Sequence, residues 1–491
     1  MKVFHGAVAV ARRVIRSPCS WLVAAAAVGY CLVGLSRQHN VLTAACDLGI
    51  FDQAVHGWAM RGFPEVPIKG PGFHHWGDHF MPLFALLAPL YWLWDAPQTL
   101  IIAGHVLLAS SGIPVYRTVR RLLGNRPAVY LTAAYLTSFG LLNDVGYDVH
   151  ETIFSATLLA WALERALAGR WSAACVFACA TMLAKEDMGA TVFMFGVLAM
   201  AYRKWRHALV LLLAGPLVLI TTVRVIIPHF RGGAYPHYDY LGLGGSTNLE
   251  EFGRYVITHP AITAFTLFDN PTKLTTWGLL LVPFGLGALR SPVVLLTLPT
   301  LVERMLSMKP AMWAWTLYYS TVLMVILVIG MADGLARMRR RDDPAPTPDT
   351  TWVRGGLVRG GLVRVATSRW PELALAMVLL VAVSPATPLR SWLSGGTTRS
   401  ASYRQAVQQA IAHVPTGVTV QVSNYLLPQI PRDNRAILIG EGKEDTSWAI
   451  IDVHSRTCSG RPEVNNLDGL RVQGFTDVYE QSGIIVLRRA P

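Results

Sequence analysis

Charge is scarce in this sequence. Aspartate, glutamate, lysine and arginine make up 15% of its 491 residues, against 52% hydrophobic. That balance sets it apart from soluble domains and points to membrane spans first. Paired metal or redox cysteines are missing as well. The six cysteines include no C-x-x-C spacing and no accompanying histidine run, so neither a zinc site nor a thioredoxin-type motif is supported. Cys19, Cys31, Cys175 and Cys179 lie in or beside apolar segments, where a small buried thiol is ordinary. No serine or cysteine nucleophile motif such as G-x-S-x-G accompanies Asp452 and His454, and apart from the short near-repeat VRGGLVRGGLVRV no internal repeat of the kind a transporter shows is evident. A broad basic face is absent too. The net charge of +13 comes from short Arg/Lys clusters between apolar runs, a membrane topology signal that leaves no role for nucleic acid.

What the sequence does contain is long apolar runs. Eleven candidates for crossing a hydrocarbon core of about 30 Å fall near 20–36, 98–116, 127–143, 152–168, 171–185, 188–202, 207–227, 274–290, 291–304, 313–332 and 369–387. The first follows Arg12, Arg13 and Arg16 but has no convincing cleavage site, so it reads as an uncleaved helix. With a cytoplasmic N-terminus, the clusters around Arg117–Arg126, Arg165/Arg170, Arg203–Arg206, Arg290 and Arg337–Arg341 all fall inside. The apolar stretch Phe80–Trp94, interrupted by Pro82 and Pro89, would reverse that order as a twelfth span and is read as an interfacial or re-entrant helix. Residues 1–341 then form the transmembrane core with outer loops at 37–97 and 228–273. The Pro/Gly/Arg-rich stretch 342–368 is a cytoplasmic linker, and 369–387 is the last span. Residues 388–491, with the alternating stretches GVTVQV, SWAIIDV and GIIVLRR and an amphipathic helix near Tyr403–His413, form a small extracytoplasmic α/β domain. Cys46 and Cys458 then share one side of the membrane, which leaves a disulfide between them open.

This orientation gathers the ionisable residues on the outer face. The first outer loop runs CDLGIFDQAVHGWAM and then FHHWGDHFMPLF. Leu48, Phe51, Val55 and Trp58 recur at helical spacing and predict an interfacial helix with Asp47 at its start and Asp52 on its wetter side. Asp47 and Asp78 have a bland reading as helix caps. Asp148 and Glu151 fit a capping box, which does not account for His150. His79, His150 and Glu151, with Asp78 nearby, could instead supply nitrogen and oxygen ligands to a divalent metal ion. Lys185, Glu186 and Asp187 sit at a junction of two spans. They complement two helix dipoles, and the lysine there also suits a lipid phosphate. The 228–273 loop interleaves glycine with aromatic residues including Tyr238, the composition of a segment that closes over a sugar or lipid and equally of a linker.

In order along the chain, DLGIFDQA, GDHFMPLFALLAPLYWLW, PVYRTVRRLLG, YDVHE, KEDMG and LPTLVERMLS resemble the bacterial predicted membrane proteins called domain of unknown function 2079. The resemblance covers most of residues 40–330. That family resembles in turn the GT-C glycosyltransferases, which use polyprenyl-phosphate-linked sugars on the outer face of the membrane. The resemblance implies an all-α polytopic, GT-C-like core in the bacterial plasma membrane. It also implies Asp47 as the essential acidic residue, with Asp52 as the nearest substitute, and Lys185 as the lysine that meets lipid phosphate. Glu186, Asp187, Asp78, His79 and Tyr238 are the accompanying substrate-binding candidates. Where the family often reads HPE, this sequence reads HET at 150–152.

The function expected from these features is transfer of a sugar from a polyprenyl-phosphate donor to a lipid or glycan acceptor of the cell envelope. Asp47 would be general base, and Lys185 would stabilise the departing lipid phosphate. A lipid or solute transporter is the main rival. It calls for ionisable groups at mid-membrane and internal repeats, whereas these groups cluster at one interface. A noncatalytic envelope-assembly protein on the same scaffold is the third reading; loss of the acidic pair would favour it, and the pair is present.

Overall fold

The computed structural model describes residues 17–237, 243–246, 248–342, 369–383, 387–440 and 446–490. Four helices are long and apolar enough to cross a membrane by length and composition: α1 Pro18–His39, α3 Pro97–Leu123, α7 Trp205–Arg231 and α8 Tyr318–Arg340. Their surroundings differ. The most apolar stretch of α8 is 94% buried, that of α1 only 17% and that of α7 22%. A helix that is apolar all round and buried is a core helix. Helices that leave Trp21, Val28, Leu209, Leu213 and Leu217 exposed need an apolar solvent, as a bilayer provides.

The expectation of eleven spans is corrected here. Each run contains helix among the described residues, but only those four meet both the length and the hydropathy, and the others are shorter, broken or less apolar. The helix α4 Thr152–Leu167 has 16 residues, α5 Trp171–Thr181 has 11 and α6 Met188–Ala201 has 14. The 274–290 run passes through a wide turn at Leu281–Gly285 that contains Pro283, as α7 does at Thr222–Ile226, and its helix closes at Ala288. The 291–304 run begins as a tight 3-10 segment, Pro292–Thr297, ahead of Leu298–Met305. Proline removes one hydrogen bond and crowds the preceding turn, a break that a sum of hydropathies does not register. The stretch Pro82–Tyr91 is likewise too short to span, about 18 Å at the rises of its 3-10 and α-helical parts. Its end leaves Trp92 and Leu93 exposed, at 68% and 86%. Close packing uses small residues: a Cβ on Gly189 of α6 would lie 2.6 Å from the carbonyl oxygen of Gly215 on α7.

The C-terminal region carries the sheet. Strands β1 Thr419–Val422, β2 Arg435–Leu438, β3 Trp448–Asp452, β4 Phe475–Gln481 and β5 Ile484–Arg489 lie in the order β2-β1-β3-β5-β4. The first three are parallel, and β5 pairs antiparallel with both β3 and β4. One face buries Val420, Val422, Leu438, Ile450 and Val486 together with Tyr403 and Val407 of helix α9, Ala401–Ala412. Val41, Ala45, Ile50, Ala54, Val66 and Ile68, from the segment after α1, belong to the same cluster. The sheet and the first loop therefore share one hydrophobic core. Polar contacts close the seam. Helix α2, Ile50–Arg61, carries Asp52, which takes two hydrogen bonds from Arg432. Glu65 takes one from Arg435, and Gln38 donates to the Pro428 carbonyl. Cys46 and Cys458 are joined by a disulfide across 412 residues of sequence. Residues 343–368, nearly all of the expected linker, lie outside the described residues.

Candidate functional site

Asp47 sits in a single wide helical turn, Ala45–Gly49, that runs into α2. Such turns insert an extra residue and re-aim side chains, often where function needs it. The turn is fixed from both sides. The Ala44 N–H donates to Asp148 Oδ2 at 2.8 Å, and the Ala45 N–H donates to Asn424 Oδ1 at 2.9 Å. Asp148 adopts a left-handed backbone (φ 74°) and pairs with Arg37 at 3.2 Å. That bend carries the chain inward, so that His150 and Glu151 are buried just before α4 begins.

His150 stacks on Tyr318 at 3.6 Å between ring centres, and its Nε2 lies 2.7 Å from the Tyr147 carbonyl. A carbonyl only accepts, so Nε2 carries the proton. The same nitrogen is 3.8 Å from Asp47 Oδ1. Lys185 Nζ donates to Glu151 at 2.9 Å and lies 3.7 Å from Asp187. Glu186 turns the other way. It accepts from His79 Nδ1 at 2.7 Å, from the Tyr235 hydroxyl at 3.1 Å and from the Phe80 N–H at 3.2 Å. The His79 ring stacks on His237 at 4.2 Å, while Asp78 lies 3.5 Å from His237 and 3.3 Å from Lys69. One polar array thus runs from Asp47 through His150, Glu151 and Lys185 to Glu186, His79, His237 and Asp78, with His150 and His237 pushed toward their neutral forms by burial. A cavity of about 370 Å³ lined by Lys69, Phe73, Phe230 and Arg231 adjoins its Asp78 end.

The electrostatics divide the carboxylates. Burial and the neighbouring Asp148 charge push the Asp47 carboxyl well above the usual carboxylate range, against the pull of Arg37. Burial also raises Asp187, despite Lys185. Burial opposes ionisation of Glu186, but its charged hydrogen bond with His79 outweighs it and holds the group at about 2. The same pairing raises His79 against its own burial. Lys185 is largely withdrawn from solvent, yet Glu151 and Asp187 hold it firmly protonated. The array therefore offers two carboxyls that burial helps to keep protonated, Asp47 and Asp187, and one fixed cation, Lys185, a combination suited to deprotonating a nucleophile and neutralising an anionic leaving group.

Not every residue expected from the sequence enters this array. Asp52 is buried and both its oxygens are held, Oδ1 by Arg432 and the Tyr91 hydroxyl and Oδ2 by Arg432, all at 2.7 Å. Its place is the seam with the sheet, where it supports α2. The metal trio His79, His150 and Glu151 is also regrouped, because His150 is committed to Tyr147 and Glu151 to Lys185. Among the described residues the group that could hold an ion is Asp78, His79 and His237, whose ligand atoms lie within 4.8 Å of one another. Two imidazoles and a carboxylate suit a zinc-like ion. Glu186 on His79 Nδ1 is the outer partner that orients such a ligand and leaves Nε2 free to bind. Tyr238 lies outside the described residues. Tyr235 and His237, from the same aromatic loop, and Tyr318 and Lys69 were not expected. Only the loop's tyrosine and glycine content pointed toward the first two.

Comparison with known proteins bears on this geometry. The sequence model of a family described as predicted membrane protein (DUF2079) matches residues 37–486. A search of curated proteins returns no match. Among solved structures, the chain is similar to ArnT from Cupriavidus metallidurans bound to undecaprenyl phosphate. Identity is 12% over 96% of this chain and 98% of that one, with a TM-score of 0.54. The apo state of that protein matches at 11% identity over 94% and 98%, with a TM-score of 0.50. The apo oligosaccharyltransferase of Archaeoglobus fulgidus matches at 10% identity over 88% of this chain and 69% of that one, with a TM-score of 0.43. The ArnT likeness shows a fold shared with that protein.

Proposed function

We propose that this chain, which belongs to the DUF2079 family of predicted membrane proteins, is a GT-C-type glycosyltransferase that moves a sugar from a polyprenyl-phosphate carrier to a cell-envelope acceptor, a lipid or a glycan. The observation that carries this reading is the Asp47 carboxyl, its pKa raised by burial and lying 3.8 Å from His150, whose neighbour Glu151 holds the Lys185 ammonium at 2.9 Å. The fold likeness to a protein bound to undecaprenyl phosphate supports the donor class. In the reaction an acceptor hydroxyl attacks the anomeric carbon, the bond from that carbon to the carrier phosphate breaks, and Asp47 takes the hydroxyl proton. Lys185, released in part from Glu151 and Asp187, meets the phosphate charge that develops. His150, clamped between Tyr318 and the Tyr147 carbonyl, holds Asp47 in place. An ion held by Asp78, His79 and His237 would supply further positive charge toward a bound phosphate.

The site belongs on the extracytoplasmic side of the plasma membrane. The Arg clusters at the opposite helix ends support that orientation, and a disulfide beside Asp47 suits an oxidising compartment. The test is incubation of vesicle-reconstituted protein with undecaprenyl phosphate bearing labelled glucose, mannose or galactose and a membrane glycolipid extract. Release of undecaprenyl phosphate with label moved to the extract is expected, and Lys185→Met should slow it at least tenfold. Label crossing the vesicle bilayer with the carrier bond intact would instead establish transport and overturn the transferase reading.

A further inference from the structure

We propose that the C-terminal sheet region is a positioning element for Asp47, acting through the Cys46–Cys458 disulfide and the Asn424 side chain. The proposal rests on Asp47 being the base. Cys46 is the residue immediately before it, and its partner lies 412 residues away. Asn424 Oδ1 accepts from the N–H groups of both Ala45 and Cys46, at 2.9 and 3.4 Å. Asn424 is itself anchored: its N–H donates to Glu463 at 2.8 Å and its Nδ2 to the Arg456 carbonyl at 3.1 Å. Cys458 stands in a loop closed by pairing of Arg456 with Pro462 and by the Thr457 N–H on the Arg461 carbonyl. The sheet region therefore presents two rigid contacts to the turn that aims Asp47, opposite the contact from Asp148.

A crosslink meant only to dock the sheet would be redundant. The shared apolar cluster and the pairs Arg432–Asp52 and Arg435–Glu65 already hold the seam. Loss of the disulfide should leave the sheet docked and loosen the 45–49 turn alone. The charged groups around Asp47 are Asp148 and Glu151, which disfavour its ionisation, and Arg37 and Lys69, which favour it. His150 lies 3.8 Å away, and the phenols of Tyr147, Tyr318 and Tyr319 also feel its charge. Burial dominates all of these, so a looser and wetter turn lets Asp47 ionise at lower pH.

The test uses full-length protein in vesicles, folded with the disulfide formed and then treated with dithiothreitol. Two electrons and two protons pass from the dithiol to the disulfide, giving free thiols at Cys46 and Cys458 and cyclic oxidised dithiothreitol. Two readouts follow. One is the pH midpoint for carbodiimide labelling of Asp47, read by mass spectrometry, since only the protonated carboxyl reacts. The other is kcat and KM with whichever labelled undecaprenyl-phosphate sugar turns over. Reduction should lower the labelling midpoint by about one pH unit and kcat by about tenfold or more, with KM within twofold, because small misplacement of a catalytic group costs that much. Cys46→Ser with Cys458→Ser should reproduce both changes and no longer respond to dithiothreitol. Asn424→Ala should shift the midpoint the same way. An unmoved midpoint on reduction overturns the proposal. A moved midpoint with unchanged kcat upholds the tether and removes Asp47 from the reaction. Because reduction acts on folded protein, failure of the serine variant to fold leaves the test intact.

Discussion

Arg432 is the residue whose removal tests the seam most sharply. It makes two 2.7 Å hydrogen bonds to Asp52 and lies 3.2 Å from Asp95. The Asp52 side chain is 5% exposed and that of Arg432 26%. Arg432→Ala leaves the Asp52 carboxylate buried with the Tyr91 hydroxyl as its remaining hydrogen-bond donor. Breaking a buried pair from one side costs about 3–5 kcal/mol. The partial exposure of Arg432 brings this to roughly 2–3 kcal/mol of local opening free energy. Hydrogen exchange of the amides in α2 and β2 should therefore run roughly 30- to 150-fold faster in the variant, at about 1.4 kcal/mol per factor of ten. Asp52→Asn in the Arg432→Gln background should recover part of that loss, because both charges go together. Exchange less than threefold faster in Arg432→Ala, or strictly additive effects in the pair, would refute a seam held by this clamp. Asp52→Asn alone should leave sugar transfer within threefold where the protein stays folded, which separates a seam residue from a base.

Three further outcomes are expected. As a base Asp47 must be ionised, so kcat/KM should rise with pH through a midpoint well above about 4, the ordinary carboxylate value, and Asp148→Asn, which removes a repelling charge, should shift that limb to lower pH. A limb that stays put in Asp148→Asn would speak against Asp47. The Glu186–His79 pair should shape stability on both sides. Glu186, held at about 2, contributes fully above its unfolded value of about 4.3 and loses that contribution as pH falls toward 2. His79, raised above its ordinary value, contributes below about 6.5 and loses it as pH rises through its folded value. The melting temperature should plateau between about pH 5 and 6.5, and His79→Gln should flatten the alkaline fall; an unchanged curve would contradict the pairing. Gly189→Val, whose Cβ would meet the Gly215 carbonyl at 2.6 Å, should destabilise by roughly 1–3 kcal/mol in thermal melts; an unshifted melt would mean α6 and α7 can separate.

Composition and charge pattern made the membrane class legible, and the apolar runs fell where helices are found. Their number did not follow. Hydropathy adds residues without regard to a break such as the one at Pro292–Thr297. Lys185, Glu186 and Asp187 were visible as an expensive cluster at a helix junction. That Lys185 faces Glu151 while Glu186 faces His79 depends on side-chain direction around one turn, which spacing alone leaves open. Asp52 and Asp47 looked alike because both open the same helix. What separates them is Arg432, 380 residues further on. Tyr235 and His237 come to the site because the end of α7 packs against His75–Gly77, where a Cβ on Gly77 would touch Phe230 at 3.0 Å. Contacts between such distant segments leave no local pattern to read.

The most direct test of a glycosyltransferase built around Asp47 compares wild-type and Asp47→Asn protein, reconstituted and equally stable by thermal melt, with labelled undecaprenyl-phosphate sugars. Label should move from carrier to acceptor with the wild type, and transfer should fall by about a hundredfold or more in the variant, the scale of losing a general base. Equal transfer by the two proteins would contradict the assignment of Asp47 as the base.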